Sequence, residues 1–256
     1  MYDIGVNLSH PSYLESLEQF QKDYHEQGVN GIICIASNLD ESLANLKLCA
    51  PYSDMFVTLG CHPHHASSWK STDTDTLIDL FHHYELAVAV GETGLDFNRN
   101  YSTPDEQIKA FQAQLNVAAT VRKPIYLHER DAFDTMIEML SSANLDNSGV
   151  IHCFTGDSDA MKCYLDFNLY VGITGWLLDE RRNQSLKEAV KQLPLERLLI
   201  ETDSPYLLPR NIRPRPKRNH PKYLPWIAQE IARIKELPVE DVISAADNNT
   251  KTLFFS

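Results

Sequence analysis

The chain has no uninterrupted apolar stretch approaching the roughly eighteen residues that a membrane-spanning helix needs, so no such span is expected. Its first residues, Met1-Tyr2-Asp3-Ile4-Gly5-Val6, lack a basic segment followed by an apolar core, and they read as a strand rather than a secretory signal. Cysteine is sparse and unpatterned: five residues, Cys34, Cys49, Cys61, Cys153 and Cys163, with no Cys-x-x-Cys. An odd, scattered set excludes a disulfide framework and a thiolate zinc site, and it points to reduced thiols in the cytoplasm. Positive charge is in deficit. A formal net charge of −12 excludes a protein that coats nucleic acid by bulk attraction, although a local patch remains at Arg210, Arg213, Arg215, Lys217 and Arg218. No glycine-rich dinucleotide loop follows the first strand, which weighs against a doubly wound open sheet. Internal repeats, linkers and low-complexity segments are also lacking.

What is present is an alternation. Of the 256 residues, 43% are hydrophobic and 23% charged, an ordinary balance for a globular protein with a sizeable core. Short apolar runs at 2–8, 31–36, 55–60, 87–90, 124–127, 149–152, 169–173 and 197–200 read as strands; the near-continuous run 31–36 reads as one buried on both faces. Between them lie segments of helical spacing at 12–27, 41–50, 74–83, 104–121, 132–141, 158–166 and 180–193, and two more follow at 224–235 and 239–252. Thr103-Pro104-Asp105-Glu106 is a capping box with proline at the first helical position. Gly28 reads as a helix stop. Eight strands alternating with helices predict an α/β fold of (β/α)8 TIM-barrel type, as a single domain over 1–256.

In such a barrel the chemistry sits at the C-terminal ends of the strands. His62, Glu92, His128, His152 and Asp203 all fall there, after the third, fourth, fifth, sixth and eighth strands. A carboxylate at the end of a buried strand is costly unless a cation faces it, and barrel packing requires no such residues. The set therefore points to one metal site, with Glu92, His128, His152 and Asp203 as ligands. Carboxylates suit Mg²⁺ or Mn²⁺, and imidazoles also admit Mn²⁺ and Zn²⁺. Asp96 reads as a residue that orients its loop, and His64 and His65 as polar-loop residues.

Four segments carry a resemblance: Gly91-Glu92-Thr93-Gly94-Leu95-Asp96, Leu127-His128-Glu129-Arg130, Ile151-His152-Cys153-Phe154-Thr155-Gly156 and Leu199-Ile200-Glu201-Thr202-Asp203-Ser204-Pro205. They resemble the signatures of the TatD-type deoxyribonucleases, in the metal-dependent hydrolase superfamily. The resemblance implies a Mg²⁺-dependent nuclease, with Mn²⁺ as the other candidate ion. It would act 3′→5′ on single-stranded DNA and also on RNA, and would serve in DNA repair or degradation. In that reading Asp203 is the general base, Glu92 a catalytic ligand able to bridge two ions, and His62 a catalytic donor. His62, Arg130, Arg213 and Arg215 are the phosphate contacts, and the protein is a cytoplasmic monomer. The alternative within the superfamily is a C–N or ester hydrolase for a small molecule, which would have no need of the basic stretch at 210–218. Many members end the first strand on His-x-His. Gly5 and Asn7 stand at those positions here, which predicts one resident ion, a second recruited with substrate, and room for histidines if both positions were changed.

Overall fold

The computed structural model describes residues 1–143 and 148–256. Eight parallel strands run in sequence order: β1 (Tyr2–Val6), β2 (Gly31–Cys34), β3 (Met55–Leu59), β4 (Ala87–Asp96), β5 (Ile125–Arg130), β6 (Gly149–Ile151), β7 (Leu169–Ile173) and β8 (Leu198–Ile200). Strand-to-strand pairing is continuous from β1 to β8. Closure comes just beyond β8. The amide of Asn7 donates to the Ser204 carbonyl at 2.8 Å, and the amide of Asp203 donates to the Gly5 carbonyl at 2.9 Å. Asp3 strengthens this seam, its buried carboxylate accepting from the Thr202 amide at 2.9 Å and the Thr202 hydroxyl at 2.5 Å. The eight-stranded TIM barrel is thus observed.

Outside the barrel lie α1 (Pro11–Leu14), α2 (Leu17–His25), α3 (Leu39–Cys49), α4 (Ser71–His83), α5 (Pro104–Val121), α6 (Phe133–Ser142), α7 (Ser158–Asp166), α8 (Gln184–Gln192), α9 (Leu224–Lys235) and α10 (Val239–Phe254). None among the described residues is long and apolar enough to cross a membrane. The Thr103–Glu106 capping box forms as predicted, with both reciprocal bonds in place. The single helix expected over 12–27 divides instead. Ser16 adopts an extended backbone and caps α2 through the Gln19 amide, so α1 and α2 are separate.

Strand side chains alternate between two apolar clusters, as a period of two requires. Leu127, Ile151, Ile173 and Ile200 join the large cluster that packs under the helices. Tyr126, Val150, Tyr170 and Leu199 join a smaller one inside the barrel. At the barrel's lower end Phe255 packs on Tyr2 and Phe56, with ring centroids 5.2 and 4.3 Å apart, and the neighbouring Phe254 belongs to the interior cluster.

Candidate metal centre

Continuing the inward set of each strand by two residues leads to the upper end of the barrel. Tyr126 is followed by His128, Val150 by His152, Tyr170 by Gly172, and Leu199 by Glu201. Glu92 comes from β4, which is longer than the run at 87–90 suggested. Its polar residues stay in the sheet because Gly94 and Asp96 pair with His128 and Arg130 of β5.

Three histidines converge on one oxygen. Glu92 Oε1 lies 2.7 Å from His152 Nε2, 3.0 Å from His128 Nδ1 and 3.4 Å from His62 Nε2. His62, Glu92 and His128 each have an imidazole nitrogen or carboxylate oxygen within 4.8 Å of the others, which groups His62 with the candidate ligands, although its Nδ1 accepts from the His64 amide and so leaves its hydrogen on Nε2. His62 is fixed by its position as the cap of the turn at Pro63–Ser68, where Nδ1 accepts from the His64 amide at 3.0 Å and Nε2 is left to face Glu92. Asp203 lines the same cavity, in the left-handed region at φ 53°, and accepts from Asn7 Nδ2 at 3.0 Å.

The charges are coupled. Burial works to raise the Glu92 pKa, but the positive charges of His62 and His152 and hydrogen bonds from His128 and His152 outweigh it, holding the carboxyl well below its usual range. Burial pushes His62 down to about 4, with Glu92 opposing and the neighbouring His128 adding to the fall. Burial also disfavours charge on His152, but Glu92 and Glu201 on either side of the ring raise it well above its ordinary value. His128 is raised too, since bonds to Asp96 and Glu92 overcome its burial. Asp203 moves the other way. Burial raises it to about 7 against the opposing pull of His152 and the Asn7 hydrogen bond, and the nearby charges of Glu92 and Glu201 add to the rise.

Around the centre opens a cavity of about 1320 Å³. Arg99 and Arg130 supply positive charge on its wall, and Tyr101, Phe133, Trp176 and Tyr206 supply aromatic surface. Tyr101 and Tyr206 are 65% and 56% exposed, so their rings face open space in the cavity. Arg213 lines a separate cavity of about 540 Å³ beside Asp179 and Arg181, and Arg215 lines neither.

Three functional positions escaped the sequence reading in whole or part. His64 is no free loop residue: its Nε2 lies 2.8 Å from Asp96 Oδ2. Asp96 does orient its loop, accepting from the Asn98 and Arg99 amides at 3.0 Å each, and it also reaches His128 Nε2 at 3.4 Å. Glu201 is fully buried, 3.3 Å from His152 Nδ1, and counting by twos from Leu199 would have found it. Gly5 offers no room for a histidine while Glu201 holds its present place, since a Cβ there would lie 2.3 Å from Glu201 Oε2.

A closed parallel barrel carrying a histidine–carboxylate cluster at the C-terminal ends of its strands has the architecture of a barrel enzyme, with its candidate site on the face where such enzymes keep theirs. Residues 2–255 match the family described as TatD related DNase, and the chain belongs to that family. It is 43% identical to the 3′-5′ ssDNA/RNA exonuclease TatD of Escherichia coli strain K12, over 99% of this chain and 98% of that one. The same protein of Escherichia fergusonii is also 43% identical, with the same coverage. Among solved structures, YJJV, a TatD homologue from Escherichia coli k12, superposes with a TM-score of 0.92 at 24% identity, covering 100% of this chain and 98% of that one. A TatD family hydrolase from Entamoeba histolytica gives 0.91 at 21%, covering 100% of this chain and 98% of that one.

Proposed function

We propose that this protein is a divalent-metal-dependent nuclease that hydrolyses phosphodiester bonds of single-stranded DNA and RNA from the 3′ end, on one barrel domain spanning 1–256. The observation that carries it is the convergence of His62, His128 and His152 on one Glu92 oxygen, inside a cavity whose wall mixes arginine with exposed aromatic rings. The 43% identity to proteins named as exonucleases of this specificity supports the choice of substrate. Unstacked bases find rings to lie on in Tyr101 and Tyr206, and each base so stacked contributes about 1–3 kcal/mol. A cavity of about 1320 Å³ is larger than a small amide or ester needs, which counts against the C–N hydrolase alternative. The free cysteines fit the cytoplasm, and we take the protein to act as a monomer.

The residues fit a cation. Three imidazole nitrogens around one carboxylate oxygen form a donor set that is otherwise held together by protons alone. Glu92, His128 and His152 would hold the ion, with Asp203 completing the set and His62 adjoining. Mg²⁺ is the expected ion, and Mn²⁺ is the competitor that the imidazoles favour. Bound there, it supplies charge neutralisation at a phosphate oxygen and a more acidic water. The chain's own residues do the rest. Asp203, oriented by Asn7, takes a proton from the attacking water as general base. Arg130, on the cavity wall, offers a fork to a non-bridging oxygen, and His62, lining the same cavity, offers a donor. Arg213 and Arg215 lie beyond the cavity, where they would hold the strand's distal phosphates. With Gly5 contributing no ligand and Asn7 only a neutral amide, the residues present would hold one ion, and a second would need oxygens from the substrate phosphate.

The deciding experiment is a metal-titrated assay on single-stranded DNA. Excess chelator should abolish hydrolysis, and Mg²⁺ or Mn²⁺ should restore it. Glu92→Ala and His128→Ala should each lose activity by orders of magnitude while circular dichroism stays unchanged. Full activity in excess chelator removes the metal reading, and hydrolysis of small amides or esters without nuclease activity replaces the substrate.

A further inference from the structure

Glu201 is the most deeply buried acid near the centre, yet it touches neither Glu92 nor the cavity wall. A carboxylate so placed is destabilising unless donors surround it. Here three do. The Cys153 amide donates to Oε1 at 2.5 Å, the Tyr126 hydroxyl lies 2.8 Å from Oε2, and His152 Nδ1 lies 3.3 Å from the same oxygen. Room for the side chain is made by glycine on both neighbouring strands. A Cβ at Gly5 of β1 would lie 2.3 Å from Oε2, and one at Gly172 of β7 would lie 2.5 Å from Oε1. Tyr126 also lays its ring against the His152 ring, with centroids 4.9 Å apart and planes 35° from parallel.

We propose that Glu201 is the positioning residue of the centre: it holds one proton of His152 on Nδ1 and so makes Nε2 the nitrogen that gives up its proton to a metal beside Glu92. The inference rests on the metal-site reading above. What decides this is proton placement. A carboxylate can only accept, and His152 has one on each side, Glu201 at Nδ1 and Glu92 at Nε2, so without a metal both nitrogens carry hydrogen. Glu201 is walled off from the cavity, so the hydrogen on Nδ1 stays, and the one on Nε2, 2.7 Å from Glu92 Oε1, is the one a metal would displace. A water or a carbonyl at the Glu201 position would hold the ring less firmly, and a hydrogen-bond donor there would select the wrong tautomer. The Gly5 and Gly172 positions serve the same end, since a methyl group at either would push the carboxylate off its partners.

The test measures binding of Mn²⁺ alone, by calorimetry, in wild type, Glu201→Ala, Glu201→Gln and Gly5→Ala. Loss of an outer partner of a ligating histidine weakens metal affinity by about 10–100-fold. Glu201→Ala should show that loss. Glu201→Gln keeps one accepting oxygen and should fall between it and wild type. Gly5→Ala should reproduce the loss although Gly5 touches no ligand. In Zn²⁺-loaded wild type, ¹⁵N spectra of the His152 ring should show hydrogen on Nδ1 and metal on Nε2, and this pattern should be mixed in Glu201→Ala. Mn²⁺ affinity within twofold of wild type in a folded Glu201→Ala overturns the inference, as does an unchanged ring spectrum. A wild type that binds Mn²⁺ as described but cleaves no nucleic acid removes the nuclease reading and leaves this one standing. A wild type that binds no Mn²⁺ removes both.

Discussion

Among single residues, Asp203 carries the sharpest electrostatic consequence. Its carboxyl is pushed up to about 7 by burial and by the charges of Glu92 and Glu201, so at neutral pH a good share of it is protonated until a cation is near. A general base must be ionised, and a bound cation favours the ionised form. Carbon-13 titration of the metal-free protein should therefore place Asp203 near 7, and added Mg²⁺ should move the midpoint down. A midpoint near the ordinary 3.8 without metal would show that burial is not acting as described. Asn7→Ala removes the hydrogen bond that favours the carboxylate, so it should raise the midpoint further.

At the level of elements, the seam between β1 and β8 is where the barrel is joined, and Asp3 is its buried acid. Burial raises Asp3 from 3.8 to about 8, against the hydrogen bonds from Thr202 and Gly5. Between those values the folded chain keeps a proton that the unfolded chain releases. The stability this group contributes is thus full below the unfolded value and is lost as pH rises through the folded one. Unfolding free energies in urea should show this decline between pH 3.8 and about 8, and Asp3→Asn should flatten it. An unaltered pH slope in Asp3→Asn would clear Asp3 of the effect. Elements differed in how much of them could be read beforehand. The α5 capping box, the α7 and α9 boundaries and the β7 run needed only caps and periodicity. The extension of β4 through Glu92 and Asp96 was not legible as strand, because polar residues there pair with β5 where an apolar pattern would normally mark a strand. The split between α1 and α2 turned on one serine cap that helical spacing overrode. In the centre, His128, His152 and Glu92 stood out as polar residues closing apolar runs. Glu201 hid because it prolongs β8 inward, and its partners Tyr126, Gly5 and Gly172 lie on three other strands.

For the molecule as a whole, a net charge of −12 must be overcome locally for a polyanion to be held. If Arg213 and Arg215 hold distal phosphates, replacing both with glutamine should reduce the salt slope of single-strand binding by about 1.4, at about 0.7 per phosphate contact. An unchanged slope would place the strand elsewhere. The opposite end of the barrel depends on Phe254, packed with the interior cluster, and Phe254→Ala should lower the unfolding free energy by about 3–5 kcal/mol. That plug has a consequence in time. A ribosome delivers β1 first, but its partner seam at Ser204 comes after four-fifths of the chain, and the aromatic stopper arrives some fifty residues later. Until then the apolar interior stands open at its base and the half-built sheet offers a free edge at each side. Nascent chains arrested before the α10 residues have emerged should stay sensitive to protease.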